Sequence, residues 1–228
     1  MTGVEKPHVT LKLATSLDGR IATSKGESQW VTGKAARQET HVMRSRHDAI
    51  LVGSGTVLAD DPMLTARLEP LPDQQPIRLV ADSRLRTPIN SKLVQTAREY
   101  RTIIACGLEV KEEREREYVG RGVEVWSLPI APLSGISISA LLAECAEQGI
   151  QSIFLEGGGA LAASFLKARA VDQIEWFRAP LIIGGDGTPC VGALNVEFLG
   201  DCLPLERTDV KTIGADIWET YVLRRESA

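Results

Sequence analysis

Apolar residues fall into short runs with two-residue alternation, separated by stretches in which they recur three or four positions apart. Residues 8–14 predict a strand with Val9, Leu11 and Leu13 on one face and Thr10, Lys12 and Ala14 on the other. Residues 49–52, 77–82, 102–106, 123–128 and 152–156 read as further short strands, and 171–179 as a longer one. The intervening pattern predicts a helix from an N-cap at Thr32 to about Arg46, and a charge-rich surface helix over 109–119. A third helix is capped by Ser137 or Ser139, reaches Gln148 and is closed by Gly149. A fourth, 160–168, follows a glycine turn at 157–159, and residues 207–213 and 217–224 predict a closing hairpin about Gly214-Ala215-Asp216.

Strands alternating with helices imply an α/β fold with a mostly parallel central sheet, helices on both faces and an antiparallel C-terminal edge hairpin. The loosest stretches, 69–76 and 128–135, have strands of similar character on both sides, so all 228 residues read as one domain. Lys+Arg 26 against Asp+Glu 30 gives a net charge of −4, which excludes the basic footprint of a dedicated nucleic-acid binder. A local basic pocket for a phosphorylated small molecule remains compatible with that balance. No apolar run approaches a membrane span, and residues 1–7 lack the apolar core of a secretory signal. Cys106, Cys145, Cys190 and Cys202 form no C-x-x-C pair, so reduced thiols and a cytoplasmic location are expected. His8, His41 and His47 form no close His/Cys cluster, so no metal site is expected.

Four places along the chain offer chemistry. Phe154-Leu155-Glu156 runs into Gly157-Gly158-Gly159 and then into a helix beginning Ala160-Leu161-Ala162. Such a turn either brings backbone N–H groups and a helix N-terminus to a pyrophosphate or simply joins a strand to a helix. Gly157, Gly159 and Ala162 match the G-x-G-x-x-[GA] pattern, but too late in the chain for a Rossmann fold, and Asp172 stands at the start of the next strand rather than its end. The second place is Val52-Gly53-Ser54-Gly55-Thr56, where Thr56 and Asp60 lie one helical turn apart; the alternative is that Asp60-Asp61-Pro62 merely ends a turn. The third joins Ser16-Leu17-Asp18-Gly19-Arg20 to Gly26-Glu27-Ser28-Gln29-Trp30, with Trp30 either core filler or a flat wall for a planar ring. The fourth is Asp82-Ser83-Arg84-Leu85-Arg86, a phosphate-binding turn or an exposed basic one. Arg44 and Arg67 are further guanidinium candidates for phosphate, unless both are ordinary surface cations.

In their order, these motifs resemble the riboflavin-biosynthesis reductase family, the reductase half of the bifunctional deaminase/reductase, with a dihydrofolate-reductase-like fold. The resemblance is carried by Pro7-His8-Val9-Thr10-Leu11-Lys12-Leu13-Ala14-Thr15-Ser16-Leu17-Asp18-Gly19-Arg20, by Gly26-Glu27-Ser28-Gln29-Trp30-Val31-Thr32, by Val52-Gly53-Ser54-Gly55-Thr56 through Thr65, and by Glu156-Gly157-Gly158. It spans nearly the whole chain, from about Pro7 to Arg224.

The resemblance implies NADPH-dependent reduction of 5-amino-6-(5-phosphoribosylamino)uracil to the ribitylamino compound, with hydride delivered to C1′ of the opened ribose. It places substrate against Ser28, Arg44, Leu64, Arg67 and Glu156. It places NADPH against Ala14, Trp30, Thr56, Asp60, Ser83 and the helix start at Gly158, Gly159, Ala160 and Leu161, onward to Ser164. Lys12 shares the strand face of Ala14 and becomes the candidate proton donor unless it is only an edge-facing lysine; Glu156 is a second catalytic candidate. Two features depart from the pattern: the deaminase half, with its zinc signature, is missing, and Gln173 stands where an acidic residue is expected. A homodimer is implied and, if the chain is the entire gene product, deamination by another protein. Three other readings stay open: the same reduction on the undeaminated diaminopyrimidinone, dihydrofolate reduction, and a non-catalytic nucleotide-binding subunit.

Overall fold

The computed structural model describes residues 5–131 and 135–224; the N-terminal residues 1–4 and part of the loose stretch 128–135 lie outside the described residues. In chain order the elements begin with β1 (His8–Thr15), β2 (Arg20–Ala22), α1 (Lys34–Ser45), β3 (Ala49–Gly53), α2 (Ser54–Asp60), β4 (Ile77–Ala81) and α3 (Lys92–Gln95). They continue with β5 (Thr102–Gly107), α4 (Glu112–Val119), β6 (Glu124–Leu128), β7 (Ile130–Ala131), β8 (Gly135–Ile136), α5 (Ile138–Glu147) and β9 (Ser152–Leu155). The last are α6 (Gly159–Lys167), β10 (Gln173–Arg178), β11 (Thr188–Pro189), a 3-10 turn (Leu199–Asp201), β12 (Leu205–Ile213) and β13 (Asp216–Leu223). These elements form two compact units.

The first unit takes His41–Gly157 and the described residues up to His8. Its strands run in the order β9-β3-β4-β5-β6, and each neighbouring pair is parallel. Strands covered on both faces need unbroken apolar runs rather than alternation. Ala49-Ile50-Leu51-Val52 and Ile103-Ile104-Ala105-Cys106 supply them, all fully buried. Val57, Leu85, Leu93 and Tyr118 close the core over one face.

An arginine sits inside this apolar sheet. Arg78 of β4 is fully buried, and among the described residues no carboxylate bonds to its guanidinium. Its guanidinium donates instead to Thr102 Oγ1, to Thr96 Oγ1 at 2.8 Å, and to the carbonyls of Met63, Leu93 and Tyr100 at 3.3, 3.0 and 3.1 Å. Burial lowers its pKa to about 10, so it stays charged at neutral pH. The buried cation ties the loop before Leu64 to α3 and to the start of β5.

The second unit takes Val9–Thr40 and the chain from Gly158 onward. Here β1 pairs with β10 in parallel, and β10, β13 and β12 are antiparallel neighbours. The β12–β13 turn is Gly214-Ala215, with Gly214 at φ +64°, as a tight hairpin requires. The fold is thus α/β, with parallel strands, flanking helices and an antiparallel C-terminal hairpin.

Some expectations shift. α1 starts at Lys34, with Gly33 rather than Thr32 preceding it, because the buried Asp216 carboxylate accepts the Gly33 N–H at 2.7 Å. The stretch after β3, read as a turn, is a seven-residue helix anchored by buried Ser54 and Val57. β10 begins at Gln173 rather than 171, since the Asp172 side chain accepts the Val9 N–H at 2.9 Å where β10 starts. Ser137, not Ser139, caps α5. The short elements β2, α3, β7, β8 and β11 carried no periodic signal.

Candidate functional site

In the first unit, one carboxylate, one carbonyl and one imidazole gather two arginines. Arg44 lies in the last turn of α1, and Glu156 directly follows β9, whose pairing with β3 extends to a Glu156 N–H bond onto the Leu51 carbonyl at 2.9 Å. Arg44 Nε donates to Glu156 Oε1 at 2.6 Å and Nη2 to Oε2 at 3.1 Å, the bidentate geometry of a guanidinium on a carboxylate. Arg44 Nη1 donates to the Thr65 carbonyl at 3.1 Å. Both side chains of the pair are largely buried, with 13% and 11% exposure.

The Thr65 carbonyl has a second neighbour, His41 Nδ1, at 3.2 Å. On the other edge of the ring, His41 Nε2 lies 3.4 Å from Arg67 Nε and 3.3 Å from Arg67 Nη2. Arg67 is exposed, unlike Arg44. Burial first, then the positive charges of Arg44 and Arg67, hold the His41 pKa below the ordinary histidine value. Leu64 is buried in the left-handed region, φ +50°, so the chain turns sharply just before Thr65.

The sequence motifs around α2 and β4 also lie in this unit. Thr56 sits against the glycine bend: a Cβ on Gly157, at φ +121°, would meet Thr56 Oγ1 at 2.7 Å. Asp60 ends α2 with its side chain at the surface, yet desolvation by the protein around it raises its carboxyl pKa. The Ser83 carbonyl accepts the Gly107 N–H at 3.0 Å, and Arg86 donates to Ser54 Oγ at 2.7 Å. Asp82, fully buried, shapes this loop by accepting from both the N–H and the hydroxyl of Thr87.

The second unit holds the remaining candidates. Lys12 and Ala14 are both half-buried on one face of β1 and stand opposite Glu175 and Phe177 of β10. Ser28 is half-buried. Trp30 is 66% exposed, so it is not core filler; the Arg37 guanidinium lies 4.4 Å from its ring centroid and fixes the indole by cation–π attraction. Gly158 is the N-cap of α6, and no side chain caps that helix. Gly159 opens the helix with its Cα close against the chain at 189–192 and its carbonyl accepting the Gly192 N–H at 2.8 Å, while Ala160 is exposed and Leu161 half-buried.

These two glycines predict opposite outcomes. A Cβ on Gly159 would lie 2.6 Å from the Pro189 carbonyl oxygen and 3.0 Å from the Gly192 nitrogen, whereas one on Gly158 meets nothing within 4 Å. Gly159→Ala is expected to cost about 1–3 kcal/mol through forced backbone displacement. Gly158→Ala should unfold within about 0.5 kcal/mol of the parent. Denaturant titration of the two variants checks both.

Mostly parallel strands with flanking helices and an antiparallel C-terminal hairpin give an α/β protein with a dihydrofolate-reductase-like fold. Dihydrofolate reductase from Enterococcus faecalis shares that fold, with a TM-score of 0.50 at 14% identity over 96% of this chain and 97% of its own. The chain belongs to the RibD C-terminal domain family, whose model matches residues 7–218. The riboflavin biosynthesis protein RibD of Actinobacillus pleuropneumoniae is 38% identical over 96% of this chain. The chain spans only 57% of that relative's length. A 2,5-diamino-6-ribosylamino-4(3H)-pyrimidinone 5′-phosphate reductase of Methanothermobacter thermautotrophicus is 34% identical over 96% of this chain and 99% of its own. Acinetobacter baumannii RibD, form 1, superposes with a TM-score of 0.82 at 30% identity, over 96% of this chain and 59% of its own.

His41 and Thr65 were not singled out in the sequence. Metal-ligand spacing among the histidines does not point to His41. The usable signal was His41-x-x-Arg44, two polar residues on one face of a predicted helix.

Proposed function

We propose that this chain reduces 5-amino-6-(5-phosphoribosylamino)uracil to 5-amino-6-(5-phosphoribitylamino)uracil with NADPH, as a step of riboflavin biosynthesis, and that its two units act as one reductase domain. The observation that carries this reading is the Arg44–Glu156 pair with Arg67 set beside it through His41. A buried carboxylate held in place by a guanidinium suits the N–H groups of a pyrimidine, and an exposed guanidinium suits a phosphate monoester.

In this reading Arg67 and Ser28 bind the 5′-phosphate, Arg44 orients Glu156, Glu156 accepts from the pyrimidine and Leu64 covers the ring. Fixing the phosphate and the base at both ends positions the sugar carbon between them. Lys12 supplies the proton that accompanies reduction at C1′ of the opened sugar. Glu175, its register neighbour on β10, is a buried carboxylate that accepts from Trp218 and Thr220.

The residues present fit a dinucleotide phosphate. Gly158 leaves open space where a side chain would stand, and α6 begins without a side-chain cap, so an anion can approach its first turn. Gly158, Gly159, Ala160 and Leu161 would hold the pyrophosphate. Ala14 and Trp30 would flank the nicotinamide, with Thr56, Asp60 and Ser83 on the rest of the dinucleotide. Bound NADPH supplies the hydride; the protein supplies orientation and charge. A homodimer and a cytoplasmic location belong to the same proposal.

A second reading is favoured by the Methanothermobacter relative, whose full length this chain matches and whose name specifies the undeaminated pyrimidinone. Purified protein given NADPH and each pyrimidine separately decides the matter by absorbance at 340 nm. Turnover of the uracil is expected. Oxidation with the diaminopyrimidinone alone transfers the assignment to that substrate, and oxidation with neither removes both.

A further inference from the structure

We infer that His41 is a positioning residue that presents Arg67 to the phosphate of the substrate, an inference that rests on the phosphate role proposed for Arg67. The ring's protonation state follows from its neighbours. A guanidinium can only donate, so its contact with Nε2, 3.4 Å from Arg67 Nε and 3.3 Å from Nη2, uses that nitrogen as the acceptor. The single proton of a neutral imidazole then sits on Nδ1, where the Thr65 carbonyl at 3.2 Å takes it. In the opposite tautomer Nδ1 accepts the Arg67 backbone N–H at 3.2 Å, so in either one His41 binds a donor of Arg67.

The surroundings keep the ring in that neutral form. His41 is half-buried beside Arg44 and Arg67, and both cations oppose a third positive charge; Glu156, already bound by Arg44, acts on it in the other sense and more weakly. The ring thus bridges two parts of the same group. Its Nδ1 side is anchored on the carbonyl that also receives Arg44, and its Nε2 side receives Arg67.

Without this anchor, an exposed arginine samples many rotamers, and ordering it on binding costs entropy. The Nε and Nη2 atoms are occupied by His41, which leaves the Nη1 side of the fork directed away from the ring. The phosphate therefore meets an arginine whose direction is already set. This device is distinct from a phosphate ligand: His41 contributes no charge and touches Arg67, not the phosphate.

The experiment uses the whole purified chain and four proteins: wild type, His41→Phe, His41→Gln and Arg67→Ala, with the His41→Phe/Arg67→Ala double mutant to close a cycle. His41→Phe keeps the ring volume and removes both hydrogen bonds. It is expected to raise KM for the phosphorylated pyrimidine about tenfold, leaving kcat and the KM for NADPH within about twofold. His41→Gln, which retains an amide acceptor and donor, should recover most of that loss. The double mutant should be no worse than Arg67→Ala alone, because an arginine that is absent cannot be positioned. An unchanged KM in His41→Phe, or losses that multiply in the double mutant, overturns the inference.

Calorimetric binding of ribose 5-phosphate to the same proteins separates this inference from the functional reading. If the wild type turns over no pyrimidine yet binds ribose 5-phosphate more tightly than His41→Phe, the reaction assignment has failed and the positioning role stands. If the wild type turns over the pyrimidine and both proteins bind ribose 5-phosphate equally, the positioning role has failed and the reaction stands.

Discussion

Replacing Arg44 and Arg67 together by alanine is expected to lower kcat/KM for the phosphoribosylaminouracil by about 10²–10⁴, from about 1.5–3 kcal/mol for each charge-assisted interaction lost. The two positions contribute differently. Arg67 is exposed, so its removal subtracts binding without disturbing the fold. Arg44 is buried against Glu156, and its removal leaves a desolvated carboxylate without its bidentate partner. The Arg44→Ala single mutant should therefore lose stability as well as turnover, by about 3–5 kcal/mol if Glu156 stays charged. Adding Glu156→Gln to it should restore much of the stability and none of the turnover. NADPH oxidation and thermal melting on the single and combined variants test both halves. Wild-type turnover by the double arginine mutant would remove the phosphate role altogether.

The second large effect is on folding. Arg78→Met is expected to destabilise the chain by about 3–5 kcal/mol, because it strands several buried acceptors at once. Met63, Leu93 and Tyr100 lose a donor to their carbonyls, and the hydroxyls of Thr96 and Thr102 lose theirs. For a chain of this size that corresponds to a fall in Tm of roughly 10 °C. Arg78→Lys should recover little, since one ammonium cannot reach acceptors arranged around a planar fork. The Met63 carbonyl immediately precedes Leu64, so the surviving folded fraction of Arg78→Met should also show a raised KM for the pyrimidine. Thermal unfolding followed by circular dichroism measures the first effect. A melting temperature within 2 °C of the parent, against the roughly 10 °C expected, would show that the five acceptors find other donors.

Legibility followed the range over which each signal acts. β3 and β5 were plain because a strand covered on both faces needs a local, unbroken apolar run, and each has one. The β12–β13 hairpin was plain for the same reason, its Gly214 turn lying between two alternating segments. α2 was obscured by Gly53 and Gly55, whose turn propensity outweighed the short apolar anchor at Val57. Arg78 looked like an ordinary polar position inside a strand, since its acceptors lie 15 to 24 residues away. Within the site, the glycine bend and the two arginines could be picked out as motifs. Their partners could not: Arg44 meets Glu156 across 112 residues, and His41 meets Arg67 across 26. Trp30 was ambiguous because an aromatic residue in a polar stretch has the same sequence signature whether buried or exposed.

β12 lies at the rim of its unit's strands and is exposed along nearly its whole length. A flat apolar rim of that kind invites indiscriminate stacking of further chains. Here Glu206, Arg207, Asp209 and Lys211 alternate in sign, and a register irregularity between Arg207 and Asp209 breaks the straight ladder. An incoming strand in the wrong register would therefore set like charge against like. The rim acts as a filter on crowding in concentrated solution, admitting only neighbours whose charges fall in the complementary sequence.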